Sequence, residues 1–350
     1  MTWLTWRQYR TQILVALGAL AALAIILALT GPNLAHLYDV AVTTCKVHND
    51  CSTAKAAFLQ NDTDLQTALG VLVIVVPGIV GVFWGAPLIA RELEAGTYRL
   101  AWTQSVTRTR WLALRAGLIG LASMAVAGLL SLMVTWWSVP FDRVAMNPFG
   151  SFDERDIVPV AYAAFAFALG ATMGLLTRRT LPAMATTAVA FAGTRLAVFL
   201  WVRPNLNAPL HLTVPDTLLL GRVSTGTLDP RDWITSTQTI NAAGRVIGEN
   251  GVVGNGLQVG FGITRGVTIS GVGSCPNVVI PPLTGHLRGP GPAGPLLAQR
   301  CLDHLGVRDL LTYQPAGRYW TFQWCELAIF IVLALLLVGI CFWWVRRRPA

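Results

Sequence analysis

Apolar positions in this chain run on without interruption; they neither alternate at the two-residue period of strands nor keep to one stripe of a helix. Residues 11–30, 69–90, 116–141 and 157–177 contain no charged side chain. Residues 180–202 contain one, Arg195, and residues 319–345 one, Glu326. A helix needs about 20 apolar residues to cross the ~30 Å hydrocarbon layer. The pattern therefore predicts an α-helical polytopic membrane protein with six transmembrane helices. Residues 203–318 are far too long for a connecting loop. Within them, residues 216–222 read as a short helix. From Trp233 to Ile280, β-branched runs punctuated by glycine read as short strands and turns. The stretch from Gly289 to Pro295 alternates Gly and Pro and reads as a stiff linker. A mixed α/β domain inserted between helices 5 and 6 is the expectation.

Composition agrees. Hydrophobic residues make up 54% and charged residues 12%, and mean hydropathy is +0.56, which excludes an ordinary soluble or disordered chain. Charge placement sets the orientation, because Lys and Arg collect on the cytoplasmic side of short loops. With both termini inside, the cytoplasmic pieces hold twelve arginines against Glu92 and Glu94, whereas the two short outer loops hold four basic and eight acidic residues. The net charge of +9 is then an excess on one face, whose partners are anionic lipid headgroups and not nucleic acid. Trp3, Trp6, Trp136, Trp137, Trp201, Trp320, Trp324, Trp343 and Trp344 fall at the span ends, at headgroup depth. Arg7 and Arg10 before an apolar run also fit a signal peptide, but the run is long for a signal core and no clear Ala-x-Ala site follows. The chain is expected to be N-in/C-in, divided into an interfacial segment (1–12), spans one to five (13–202) with a cytoplasmic coupling segment (91–115), an extracytoplasmic domain (203–318), and span six with its basic cytoplasmic tail (319–350).

Cys45, Cys51, Cys275 and Cys301 fall in segments read as outer, an even count that suits an oxidising compartment. Three connectivities are open; the shortest closures join Cys45 to Cys51 and Cys275 to Cys301. Cys325 and Cys341 lie in span six as small apolar residues. No Cys-x-x-Cys or close His pairing offers a metal site, and no catalytic set appears among the five histidines. The only lysines, Lys46 and Lys55, follow Cys45 and Ala54, so the chain has no Gly-Lys-[Ser/Thr] phosphate loop. Glycines between 248 and 262 read as turns. A P-loop ATPase is excluded on the lack of that lysine motif.

The informative short stretch is 91–115, between spans two and three. It reads Glu92-Leu-Glu94-Ala-Gly96-Thr97, then Tyr98 and Arg99, then Thr103-Gln-Ser-Val-Thr-Arg108. An amphipathic helix along the membrane face is one reading; a docking knob for a cytoplasmic partner is the other. This order resembles the permease subunits of type-2 ABC exporters, in which a Glu-x-Glu-x-Gly-Thr stretch and a Thr-Pro-Val-Ser-Arg-like stretch follow the second span. Ser105 stands where the family often has proline, and Arg115 where it often has lysine. Trp3-Leu-Thr-Trp-Arg7, Phe83-Trp-Gly-Ala-Pro87 and Tyr313-Gln-Pro-Ala-Gly-Arg318 resemble an actinobacterial branch of that family.

The resemblance implies a separate ATPase subunit, two per complex, that carries ATP and Mg and docks on Glu92, Glu94, Gly96, Thr97, Tyr98, Arg99 and Arg108. It implies a second permease chain, identical or a sister, location in a bacterial plasma membrane, and export of an amphipathic or hydrophobic substrate. Spans two and five are the candidate pathway wall, with Pro77, Gly78 and Gly81 permitting bending; ordinary small-residue helix packing is the competing reading. Arg195 and Glu326 either pair between spans five and six or reach the interface separately. If they pair, charge reversal at both restores what either reversal loses. The alternative function is a membrane-anchored sensor or assembly protein whose insertion binds a ligand.

Overall fold

The computed structural model describes residues 2–48, 58, 63–95, 107–145, 148–215, 228–229, 231–250, 268–269, 278–279, 306 and 308–347. Two compact units emerge. One holds residues 1–145, 151–206 and 320–350; the other holds 146–150 and 207–319.

The first unit is helical and carries six candidate membrane spans: Arg10–Cys45, Asp64–Glu94, Leu112–Trp137, Pro148–Thr177, Thr180–Asn205 and Ala316–Arg347. The first helix runs unbroken from Thr2 to His48, so residues 2–12 are continuous with span one and the helix extends well past Thr30. Pro32 lies inside this helix. Trp137 Nε1 donates to Thr30 Oγ1 at 3.0 Å beside it, and Leu27 and Leu34 are buried on either side of it with Val134, Trp137 and Phe141. Packing thus holds a helix that the Gly31-Pro32 pair alone would weaken.

Span four is the axis of the unit: 78% of its most apolar window is buried, against 6% for span one. Its small residues allow close approach of span two. A Cβ built on Gly81 would lie 2.5 Å from the Ala166 carbonyl oxygen, and one on Gly174 would lie 2.5 Å from that of Ala86. At Gly170 it would collide with the Gly81 carbonyl and reach 2.7 Å from Ala86 N. Small residues at such crossings let backbones touch, the dispersion-driven packing available inside a membrane. Residues Gly81–Gly85 form one π-helical turn, closed by Ala86 N–H bonding to Gly81 O. Pro87 follows and has no N–H to donate four residues back. The irregularity sits just beyond Pro77 and Gly78, the bend expected from sequence.

The second unit contains an antiparallel sheet in the order β1-β6-β2-β3, with β1 Leu210–Pro215, β2 Trp233–Ile240, β3 Val246–Asn250 and β6 Arg308–Gln314. A short pair joins β4 (Thr268–Ile269) to β5 (Val278–Val279). β1 and β6 bracket the insertion and pair His211 with Thr312. Gly244, at φ 73°, makes the β2–β3 turn, and Asn241 Oδ1 accepts from the amides of Ala243 and Arg245. Strands therefore stand where the glycine-punctuated pattern put them in β2 and β3, and additionally at both ends of the insertion. The helix expected at 216–222 lies outside the described residues.

Gly170→Ala is expected to lower stability by about 1–3 kcal/mol, the usual cost of forcing a methyl into a filled interface. Gly339→Ala, where nothing lies within 4 Å, serves as the control. Thermal unfolding of both variants in one detergent checks this, and equal midpoints would contradict the packing account.

Candidate functional site

The helical unit encloses a cluster of four charges. A 3-10 turn, Pro148–Glu154, precedes span four's helix and presents Asp153. Tyr162 stands in the second turn of that helix, Val158–Thr177. Arg195 and Arg203 lie eight residues apart at the end of span five, and Glu326 is in the second turn of span six's helix. Arg203 and Glu326 are completely buried.

Arg203 grips both acids. Its Nε donates to Glu326 Oε2 at 2.8 Å, its Nη2 to Glu326 Oε1 at 2.9 Å, and its Nη1 to Asp153 Oδ2 at 2.8 Å. A further short bond joins Nη2 to Asp153 Oδ1. Paired, fork-shaped contacts of this kind are what a planar guanidinium offers and an ammonium does not. Arg195 Nη2 donates to Asp153 Oδ1 at 3.1 Å, and its Nη1 lies 3.6 Å from Glu326 Oε1. Its guanidinium sits 3.5 Å above the Tyr162 ring. The Tyr162 hydroxyl lies 2.6 Å from Glu326 Oε1 and 2.9 Å from Asp153 Oδ1. Phe152 covers Arg203 at 4.4 Å, and Gln323 Nε2 fixes that segment by donating to the Phe152 carbonyl at 3.1 Å.

Two positive and two negative charges therefore neutralise one another where each alone would cost about 3 kcal/mol at membrane depth. The arrangement ties spans four, five and six together at the ends next to the insertion. Arg195 and Glu326 do approach across spans five and six, but Arg195 is closer to Asp153, and Glu326 is held chiefly by Arg203. Sequence reading missed Asp153 and Arg203, which lie just outside uninterrupted apolar runs and look like loop charges.

At the opposite end of the bundle, Glu92 and Glu94 are both engaged inside the chain. Glu92 forms a short ion pair with Arg115 of span three, both largely buried. Glu94 Oε2 accepts from Thr180 N at 3.0 Å and from Thr180 Oγ1 at 2.7 Å. Within the chain the oxygens of these two carboxylates are engaged by spans three and five, while Glu94 itself stays exposed. Of the other expected docking residues, Gly96, Thr97, Tyr98 and Arg99 lie outside the described residues, and Arg108 opens the helix of span three.

The candidate pathway residues also turn inward. Pro77 and Gly81 are buried, Gly81 against Ala166 of span four, and Gly78 faces the Phe191 ring of span five at 3.0 Å from a built Cβ. Close packing is what this face of span two does within one chain. Its other face, with Leu72, Val76, Ile79 and Phe83, lines an apolar cleft of about 510 Å³ shared with spans one and three. Gln12 lines this cleft, and its side-chain oxygen is buried without a hydrogen-bond partner. Cys51, Cys275 and Cys301 lie outside the described residues, and Cys325 and Cys341 are free thiols. Among the described residues no group of three or more His, Cys, Asp or Glu is placed to hold a metal. Between spans three and four, Asp142 pairs with Arg155; burial pushes its carboxyl above the usual aspartate range, and the Arg155 charge opposes that shift.

Six apolar helices, a Glu-x-Glu stretch ending the second, and charges buried among the last three describe a multi-pass membrane protein with a paired ionic site among its spans. The family model described as ABC-2 membrane transporter related matches residues 17–203, more than half of the chain. The chain belongs to this family. No curated protein and no solved structure matches it. ABC-2 membership makes it a permease-type subunit and implies an ATPase partner in a transporter complex. The match covers spans one to five and ends on Arg203, so this ABC-2 chain carries Asp153, Arg195 and Arg203 of the cluster inside the family segment and Glu326 beyond it.

Removing one partner of a buried pair leaves an uncompensated charge and costs about 3–5 kcal/mol. Arg203→Met is therefore expected to destabilise the permease by about that much, and more than Arg195→Met does. The double reversal Arg195→Glu with Glu326→Arg is expected not to restore stability, because it sets a glutamate against Asp153 and an arginine against Arg203. Thermal unfolding of the single and double variants decides this; full recovery in the double variant would show an isolated pair.

Proposed function

We propose that this chain is the transmembrane subunit of an ATP-driven exporter of amphipathic or hydrophobic cargo. The observation that carries the reading is the family match across spans one to five, with the Glu-x-Glu stretch placed at the end of span two, where the chain passes into residues 96–106. In this reading the termini and residues 91–115 face the cytoplasm, where the arginines are concentrated, and residues 203–318 lie outside. Two copies of an ATPase subunit bring ATP and Mg and dock on Gly96, Thr97, Tyr98, Arg99 and Arg108. A second permease chain, identical or a sister, completes the complex in the plasma membrane of a bacterium, with lipid around it. Nucleotide must bind two arrangements of the complex unequally for anything to move. The apolar cleft beside span two supports cargo with a large apolar part. Cys45–Cys51 and Cys275–Cys301 are the disulfides of the outer segments.

Pull-down of the solubilised protein from its native host is expected to recover a soluble ATPase with ATP hydrolysis. Arg99→Glu and Arg108→Glu are expected to lose it, with the permease still folded. Recovery of the chain alone, or with a signalling protein and no hydrolysis, would favour the sensor reading. Peptide mapping without reductant is expected to show the two proposed disulfides as linked peptides, and crossed linkages would overturn the pairing.

A further inference from the structure

The last turn of span two is gripped from two sides. Glu92 and Glu94 stand two positions apart, and residues at that spacing on a helix point in different directions. One carboxylate engages Arg115 of span three and the other Thr180 of span five. Thr180 is the first residue of the helix Thr180–Ala197, and the position before it, Arg179, supplies no side-chain cap of its own. Glu94 therefore does from another helix what an N-cap side chain does locally. It accepts an otherwise unpaired backbone N–H and sets a negative charge at the positive end of the helix dipole. Ala86, Ala90 and Ala183, all fully buried, pack the same end of span two against span five, so the contact is not a lone surface bond. The preceding turn of span two touches span four through Ala86 O and Gly174.

We propose that Glu94 and Glu92 are the positioning residues through which displacement of the end of span two is transmitted to spans five and three. Resting on the permease reading above, this assigns the two carboxylates to transmission and not to the ATPase surface. A displaced helix end carries Thr180 with it as long as Glu94 holds both of its donors. Without Glu94, span five starts uncapped and the helix end moves past it. Each carboxylate serves a different span, Glu92 span three and Glu94 span five. The charge cluster then lies at the far end of the same span five, so motion entering at Thr180 reaches Arg195 along the helix Thr180–Ala197 and Arg203 through the π-helical turn Val198–Val202 that follows it.

The test uses the full chain with its ATPase subunit in lipid nanodiscs. Amide exchange over residues 181–185 is followed by mass spectrometry with and without ATP and orthovanadate. Linked sites typically shift each other by ~5- to 150-fold, so the wild type is expected to change exchange in this segment at least about fivefold on nucleotide binding. Glu94→Ala is expected to bring that ratio close to one while the ATPase still co-purifies and hydrolyses ATP within about twofold of wild type. Glu94→Gln, which keeps an acceptor oxygen, is expected to retain most of the response, and Thr180→Val to reduce it. A purely structural role would speed exchange with and without nucleotide and leave the ratio intact. A wild-type ratio in Glu94→Ala, or in Thr180→Val should Glu94→Ala not fold, overturns the assignment and leaves the permease reading standing. Absence of any co-purifying ATPase in the wild type overturns the permease reading itself.

Discussion

Arg203 carries a full charge in a place completely closed to solvent, and the helical unit is arranged to make that tolerable. Four hydrogen bonds to Asp153 and Glu326, a second guanidinium from Arg195 and a tyrosine hydroxyl meet within one site. Each acid comes from a different segment: Asp153 from the turn before span four, Glu326 from span six. Because a charge left alone there is costly, the three spans cannot separate at this end without losing the whole set together. The constraint is geometric as much as energetic, since a guanidinium satisfies two carboxylates only when both lie near its plane.

Away from the cluster, the unit is held by close contact. Span four lies at the centre with glycine and alanine facing span two, and the carbonyl oxygens of Ala166, Gly81 and Ala86 come where side chains would otherwise be. Dispersion and shape replace the hydrophobic effect as the force between helices in lipid. The two ends of the bundle thus differ in kind. One is locked by balanced charges, and the other is joined by the carboxylates of Glu92 and Glu94 and by the packing of Ala86 and Ala90 on Ala183.

The spans were legible because twenty or so apolar residues in a row have few other uses, and Arg195 and Glu326 were legible because a charge inside such a run stands out. Asp153 and Arg203 were not. Asp153 sits about one turn before the apolar run of span four and Arg203 directly after that of span five, and only their meeting with Glu326 in space makes them interior. Glu92 and Glu94 were recognised as a motif, but the direction of their side chains depends on where Arg115 and Thr180 arrive in space, which no local pattern encodes. The same holds for β1 and β6, short runs about a hundred residues apart that pair only because the chain closes on itself. At Gly31-Pro32 local propensity favours a break, and packing against Trp137 keeps the helix continuous.

The account's central claim is that spans four, five and six form one charge-locked block. Native-state hydrogen exchange of the isolated protein in nanodiscs tests it most directly. Amides of residues 158–165, 195–203 and 322–330 are expected to exchange at one common, slow rate and to accelerate together in Arg203→Met. Independent rates for the three segments, or acceleration confined to span five, would contradict the account.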